Sequence, residues 1–78
     1  EELLKLEYNN RSLHIHSPEG TWSDVTIYAA TGKICTRTTI ALHNGYAVLP
    51  IATYGQGIYI VSVTDSTGET QTLKIRID

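Results

Sequence analysis

The feature that most constrains this chain is an alternation of apolar and polar residues, broken by turn residues about every 8–12 positions. In residues 11–17, Leu13 and Ile15 lie on one face and the histidines between and after them on the other. Residues 71–78 follow the same rule. A period of two residues is typical of a strand with one buried face, whereas a helix repeats about every 3.6 residues. The alternation therefore predicts an all-β chain without helices.

Turn signals divide this pattern into six or seven short antiparallel strands. Asn44-Gly45 is the strongest of these signals, because both residues tolerate the positive φ angles of a two-residue hairpin. The predicted strands cover residues 3–8, 11–17, a stretch around 25–29, 33–42, 47–51, 57–65 and 71–78. Alternating strands without a cysteine framework usually pack as two sheets. We therefore expect an immunoglobulin-like antiparallel β-sandwich, with a small barrel as the alternative.

Three strands carry signs of their position. Residues 57–65 are apolar on both faces near Ile58 and Ile60, which favours a central strand or a face covered by a partner. Pro50 cannot donate to a sheet, so its strand is expected at an edge or to end there. In residues 33–42, threonines at positions 36 and 38 interrupt the apolar face, which indicates proximity to an edge. The apolar members of that face are Ile34, Ile40 and Leu42.

Length and charge exclude several classes of protein. The chain has 78 residues and a mass of 8.6 kDa, enough for a single domain over residues 1–78. Its formal net charge is −2, so no basic surplus exists to bind nucleic acid. No apolar run approaches the roughly 20 residues of a membrane helix, so we expect no membrane insertion. The chain contains no Met, even at position 1, which favours a processed product or part of a longer protein.

His14, His16 and Cys35 are the residues best suited to metal binding or nucleophilic catalysis. Histidines two apart on a strand face can bind a metal if a third ligand approaches, and a thiol near a histidine can act as a nucleophile. However, simple alternation explains both histidines, and no helix N-terminus is predicted that would activate the Cys35 thiol. Residues 65–69 lack the spacing of a calcium loop and are typical of a β-turn. We predict no catalytic, cofactor-binding or metal-binding residue, and no enzyme.

The aromatic residues are assigned mainly to packing. Trp22 and Tyr54 are expected to close the ends of the sandwich, and Tyr59 to serve as a corner or core residue. Residues 53–57 are predicted to be a loop, whose glycines give the backbone freedom before the next strand.

Three segments together resemble a known family. They are VTIYAATGKI at 25–34, LPIATYGQGIYIV at 49–61, and VTDSTGETQTLKI at 63–75. Their order and spacing resemble those of the C-terminal sorting domain of the type IX secretion (Por) system of Bacteroidetes, over roughly residues 11–78. The structural positions of the family motif fall on Gly32, Lys33, Gly57, Tyr59 and Gly68. A second resemblance is to small exported Bacteroides sandwich proteins of unknown function.

The first resemblance implies a non-catalytic sandwich at the C-terminal end of a larger exported protein. In that family the domain is an address read by the outer-membrane translocation machinery, and it is typically removed as the cargo is attached to the cell surface. The final strand is important for recognition. The matching residues are Lys74, Ile75, Arg76, Ile77 and Asp78. The implied partner is the secretion machinery; the alternative is a stand-alone exported module that pairs with a protein, or with itself, through a strand edge or face.

Overall fold

The computed structural model describes residues 3–51 and 54–78, so Thr53 of the expected loop lies outside the described residues. This part of the chain contains seven β-strands and no helix, as the alternation predicts. The strands are β1 (Lys5–Asn9), β2 (Ser12–His16), β3 (Trp22–Ala29), β4 (Ile34–Ala41), β5 (Tyr46–Pro50), β6 (Gly57–Asp65) and β7 (Thr70–Ile77). Within these residues, no helix is long and apolar enough to cross a membrane.

The strands form two antiparallel sheets. One has three strands in the order β1-β2-β5, and the other has four in the order β4-β3-β6-β7. The predicted immunoglobulin-like sandwich is confirmed. The central position of β6 and the edge positions of β4 and β5 are confirmed as well. Three connections cross between the sheets: β2 to β3, β4 to β5 and β5 to β6.

The inward faces of the two sheets form one apolar core. Leu13 and Ile15 of β2 are fully buried against residues of β3 and β6 in the opposite sheet. The buried apolar residues are Leu4, Leu13, Ile15, Val25, Ile27, Leu42, Ile51, Val61, Val63, Ile75 and Ile77. Each such side chain contributes about 1.5–3 kcal/mol by leaving water. Because the chain has no internal disulfide, this burial is the main source of its stability.

The Asn44-Gly45 turn is confirmed and does more than reverse the chain. Both residues have positive φ, 55° and 75°, and His43 and Tyr46 exchange backbone hydrogen bonds across the turn. The backbone oxygen of Gly45 accepts a hydrogen bond from the Ser17 amide at 2.7 Å. A Cβ at position 45 would lie 2.6 Å from the Ser17 carbonyl oxygen, so only glycine fits. The turn thereby fastens β5 to the loop that leaves β2.

A β-bulge in β4 corrects one expectation. Ile27 pairs with Thr36, but the next residue, Tyr28, pairs with Ile34, so Cys35 is the extra residue. One inserted residue reverses the face of the side chains beyond it. Ile34 is consequently 52% exposed, whereas the even spacing predicted it on the same face as Ile40 and Leu42.

Trp22 corrects another expectation, because it does not close an end of the sandwich. Its side chain is 41% exposed at the start of β3. Tyr54 packs against the core as expected, and its hydroxyl donates a hydrogen bond to Thr36. That bond explains why a threonine interrupts the apolar face of β4.

Candidate functional site

The five candidate recognition residues lie on β7 or directly after it, at one edge of the four-stranded sheet. The structure divides them into two sets. Ile75 and Ile77 are each only 4% exposed and belong to the core, whereas Lys74, Arg76 and Asp78 are exposed. A partner that binds the folded domain therefore meets the charged side chains of this segment.

Arg76 and Asp78 form an ion pair at the end of β7. The Nε atom of Arg76 lies 3.0 Å from an Asp78 carboxylate oxygen, and both side chains are more than three-quarters exposed. Ion pairs in contact with water contribute little because water and salt screen them. Arg76 therefore stays available to a second carboxylate.

The outward neighbours of β7 are apolar. Ile34, Tyr28, Ile60 and Lys74 are successive partners across all four strands and form one row on the outer face. In the adjacent row, Ile58 lies opposite Arg76. Directly opposed residues have Cβ atoms about 4.5–5.5 Å apart, so these side chains form a contiguous surface. We call Tyr28, Ile34, Ile58 and Ile60, with Arg37, Lys74 and Arg76 beside them, the basic-apolar patch.

Sequence reasoning found only part of this patch. The apolar residues on both faces of β6 singled out Ile58 and Ile60. Ile34 was placed inside by its spacing, because the bulge at Cys35 leaves no mark in the alternation. The alignment of Tyr28 with Ile34 and Ile60 depends on the strand register, which no local pattern reports.

The positions of the family motif lie at turns and at the start of β6. Gly32 and Gly68 occupy the β3–β4 and β6–β7 turns, each with a φ of 94° that favours glycine. The backbone oxygen of Lys33 accepts a hydrogen bond from the Ala29 amide at 2.8 Å, while the residue itself is exposed. Gly57 begins β6. Tyr59 packs against the core and donates its hydroxyl hydrogen bond to the Gly55 carbonyl at 2.9 Å.

Asp65, at the end of β6, is a buried carboxylate that sequence reasoning treated only as a turn residue. One of its oxygens accepts a hydrogen bond from the Ser17 hydroxyl at 2.6 Å. The other accepts bonds from the Thr67 amide, the Thr67 hydroxyl and the Glu69 amide, at 2.6–3.1 Å. Because Ser17 follows β2, this carboxylate joins the two sheets.

The hydrogen bonds determine the charge of Asp65. Burial alone raises the pKa of this carboxyl, but the hydrogen bonds from Ser17, Thr67 and Glu69 favour the ionised form and outweigh it. The net effect is a pKa below the ordinary value for aspartate. The side chain is only 2% exposed and its oxygens are occupied by donors, so its role is structural.

The histidines lie on the outer face of the three-stranded sheet, far from the patch. A shallow groove there, of about 620 Å³, is lined by Lys5, Leu6, Glu7, His14, His16 and Tyr46. The Nδ1 atom of His14 lies 2.6 Å from the Tyr46 hydroxyl. Cys35 is exposed on the opposite sheet, so the fold does not bring it together with His14 and His16.

Comparison with known proteins identifies the family. The model of the secretion system C-terminal sorting domain matches residues 9–78 of the chain. No curated protein sequence matches it. Among solved structures, a DUF3244 family protein from Bacteroides vulgatus has an immunoglobulin-like β-sandwich fold. It superposes with a TM-score of 0.76 at 16% identity, covering 97% of this chain and 84% of that chain. This likeness shows the fold alone, whereas the family match spans nearly the whole sequence. The chain therefore belongs to the secretion system C-terminal sorting domains, the type IX sorting family that its motifs resemble.

Proposed function

We propose that this domain is a non-catalytic sorting signal, which directs export of the protein that carries it by binding the secretion machinery. The observation that carries the proposal is the family match over residues 9–78, which includes β2 to β7 and only the last residue of β1. Under this proposal the domain is the C-terminal part of a longer exported protein. Its destination is the periplasm, the cell surface or the medium.

The five recognition candidates then divide by role. Ile75 and Ile77 anchor β7 in the core, while Lys74 and Arg76 present positive charge on the outer face. Asp78 moderates the charge of Arg76 through their ion pair. Residues in the glycine turns and Tyr59 would act indirectly, by holding the strands that carry these charges.

The division of roles determines how the proposal is tested. Deletion of residues 69–78 should abolish export, but it would also remove all of β7 and two core isoleucines. A loss of export after that deletion would not distinguish lost recognition from lost folding. Charge reversal of Lys74 and Arg76 leaves the core intact, so it is the sharper test.

The experiment fuses the chain to the C-terminus of a secreted reporter in a Bacteroidetes host with a type IX pathway. We expect surface delivery with the native domain and a loss of about tenfold or more with K74E/R76E, equivalent to about 1.4 kcal/mol of recognition. Lys5→Glu, an exposed charge reversal on the other sheet, is the matched control and should deliver normally. If the reporter fused to the native domain is delivered no better than the reporter alone, the proposal is refuted.

A stand-alone exported interaction module is the second candidate. It is favoured by the exposed Ile34 and Ile60, and by a structural neighbour that is itself little larger than this sandwich. The intact mass of the native, cell-derived product separates the two. A mass far above 8.6 kDa supports the sorting domain, and a mass near 8.6 kDa supports the free module.

A further inference from the structure

The basic-apolar patch presents apolar side chains that no other described part of the chain covers. Ile34 is 52% exposed and Ile60 is 37% exposed, with half-buried Tyr28 between them and half-buried Ile58 alongside. Single exposed apolar residues are common on protein surfaces, but contiguous groups mark interaction sites. The row from Ile34 to Ile60 spans three adjacent strands.

Positive charge is concentrated around the same patch. The chain has six lysines and arginines and a net charge of −2. Three of the six lie beside the patch: Arg37 on the β4 side, and Lys74 and Arg76 on the β7 side. Asp24 and Asp78 already have polar partners on this sheet. Asp24 bonds the Thr39 hydroxyl two rows away, and Asp78 pairs with Arg76.

The middle of the outer face carries mainly hydroxyl side chains. The row after Tyr28 and Ile60 contains Thr26, Ser62 and Thr72, with Arg37 at its edge. The next row contains Thr39, Thr64 and Thr70 around Asp24. Exposed Trp22 lies at the opposite end of this outer face, whereas the contiguous apolar row lies at the end where β7 terminates and is continuous with the exposed charges of that strand.

We propose that the basic-apolar patch docks a protein surface with an apolar centre and a rim of carboxylates. The inference rests on the proposed function and deepens it: the machinery reads a folded face, to which β7 contributes only two cations. Tyr28, Ile34, Ile58 and Ile60 of three other strands supply the apolar contact. The address is therefore a surface built from residues far apart in the sequence.

Charge argues against a second copy of this chain as the occupant. A symmetric dimer brings the same patch of both subunits together. The arginines and lysines of the two copies would then face each other across a contact that excludes water, where like charges repel strongly. A carboxylate-bearing partner meets the same cations with attraction, and its association should weaken as salt rises.

The test uses the whole 78-residue chain and amide chemical-shift mapping by NMR. The probe is a capped peptide of alternating leucine and glutamate, and the control peptide has lysine in place of glutamate. We expect saturable shifts on β3, β4, β6 and β7 with the acidic peptide only. Ile60→Ser should weaken binding about tenfold or more, as truncation of a central contact residue does. Val48→Ser, at an apolar residue of the other sheet that is 44% exposed against 37% for Ile60, should leave binding unchanged.

Four outcomes would overturn the inference. The acidic peptide gives no saturable shifts, or its shifts map to Tyr46 and Val48. Sedimentation velocity reveals a dimer that Ile60→Ser abolishes, which indicates a second copy. The chain cosediments with phosphatidylglycerol vesicles in the same Ile60-dependent way, which indicates lipid.

Finally, a reporter with Ile60→Ser is delivered as well as the native fusion, which removes the docking role but leaves the sorting function intact. Failure of the native fusion to be exported refutes the sorting function instead, while the peptide titration still tests docking.

Discussion

The two outer faces of the sandwich are built from similar strands but differ in how their side chains are used. On the three-stranded sheet, Lys5, His16 and Tyr46 form one row, beside a row of Glu7, His14 and Val48. Opposite charges are interspersed there, and His14 bonds Tyr46 across the face. On the four-stranded sheet, the basic side chains of Arg37, Lys74 and Arg76 lie beside the apolar side chains of the basic-apolar patch.

This difference indicates which face is prepared for a partner. The three-stranded face also exposes Tyr46 and Val48, but Lys5 and Glu7 lie two residues apart on it, so a charged partner meets repulsion there as well as attraction. A surface with exposed isoleucines and available cations gains from both apolar burial and charge pairing. Under the proposed docking role, recognition falls to the four-stranded sheet.

Asp65 offers the largest test, because its removal should disrupt both faces at once. Asp65→Ala would remove the carboxylate that accepts hydrogen bonds from the Ser17 hydroxyl and from the Thr67 and Glu69 amides, and would leave these donors without an acceptor. We expect a loss of about 3 kcal/mol or more in the free energy of unfolding, measured with urea, because each buried donor left without an acceptor costs about 1–3 kcal/mol. Asp24→Ala, on the exposed outer face, is the control and should cost about 1 kcal/mol or less. Equal losses for the two variants would show that Asp65 does not join the sheets.

The two sides of β7 provide the next test. Ile75→Ala removes a side chain that is 4% exposed and should cost about 2–5 kcal/mol of stability. Lys74→Ala, one residue away on the outer face, should change stability by about 0.5 kcal/mol or less. Thermal unfolding of both variants measures this contrast. A destabilisation by Lys74→Ala comparable to that of Ile75→Ala would contradict the division between anchor and recognition residues.

The pH dependence of stability sharpens the role of Asp65. Because its pKa is lowered in the folded state, its contribution is present above the unfolded value of about 3.9 and is lost as pH falls through the folded value. An uncharged amide in place of the carboxylate would lack this contribution at every pH. The stability difference between the native chain and Asp65→Asn, measured by urea unfolding, should therefore be largest near neutral pH and shrink below about pH 4. A difference that grows on acidification would show that the folded pKa is raised.

The smallest expected effects on the free energy of unfolding come from substitutions on the two outer faces. Ile60→Ser and Val48→Ser each change an exposed or nearly exposed side chain, so each should alter the free energy of unfolding by about 1 kcal/mol or less. Urea unfolding tests this directly. Comparable stability of the two variants is needed for any difference in binding to be attributed to the surface. A much larger loss for Ile60→Ser would mean that this residue serves packing.

Much of the fold was predictable from the sequence, because each strand exposes one face to water and one to the core. Alternation located Leu13 and Ile15 inside, and Asn44-Gly45 located a hairpin. The bulge at Cys35 was not predictable, since an extra residue reverses the facing of Ile34 without changing the local composition.

The candidate site was predictable only in part for a similar reason. Resemblance to the family drew attention to residues 74–78, but only the register shows that Tyr28 and Ile60 lie beside Lys74. Asp65 was recognisable as a turn residue from its neighbours in the chain. Its bond to Ser17 joins residues 48 positions apart, and no local pattern reports such a pairing.

The most direct test of the account is surface delivery of a reporter fused to the native domain, to Ile60→Ser or to Val48→Ser, with each variant shown to be folded. We predict that Ile60→Ser reduces delivery about tenfold or more, as loss of a central contact does, while Val48→Ser delivers like the native domain. Equal delivery by all three, or a loss confined to Val48→Ser, would contradict the assignment of recognition to the four-stranded sheet.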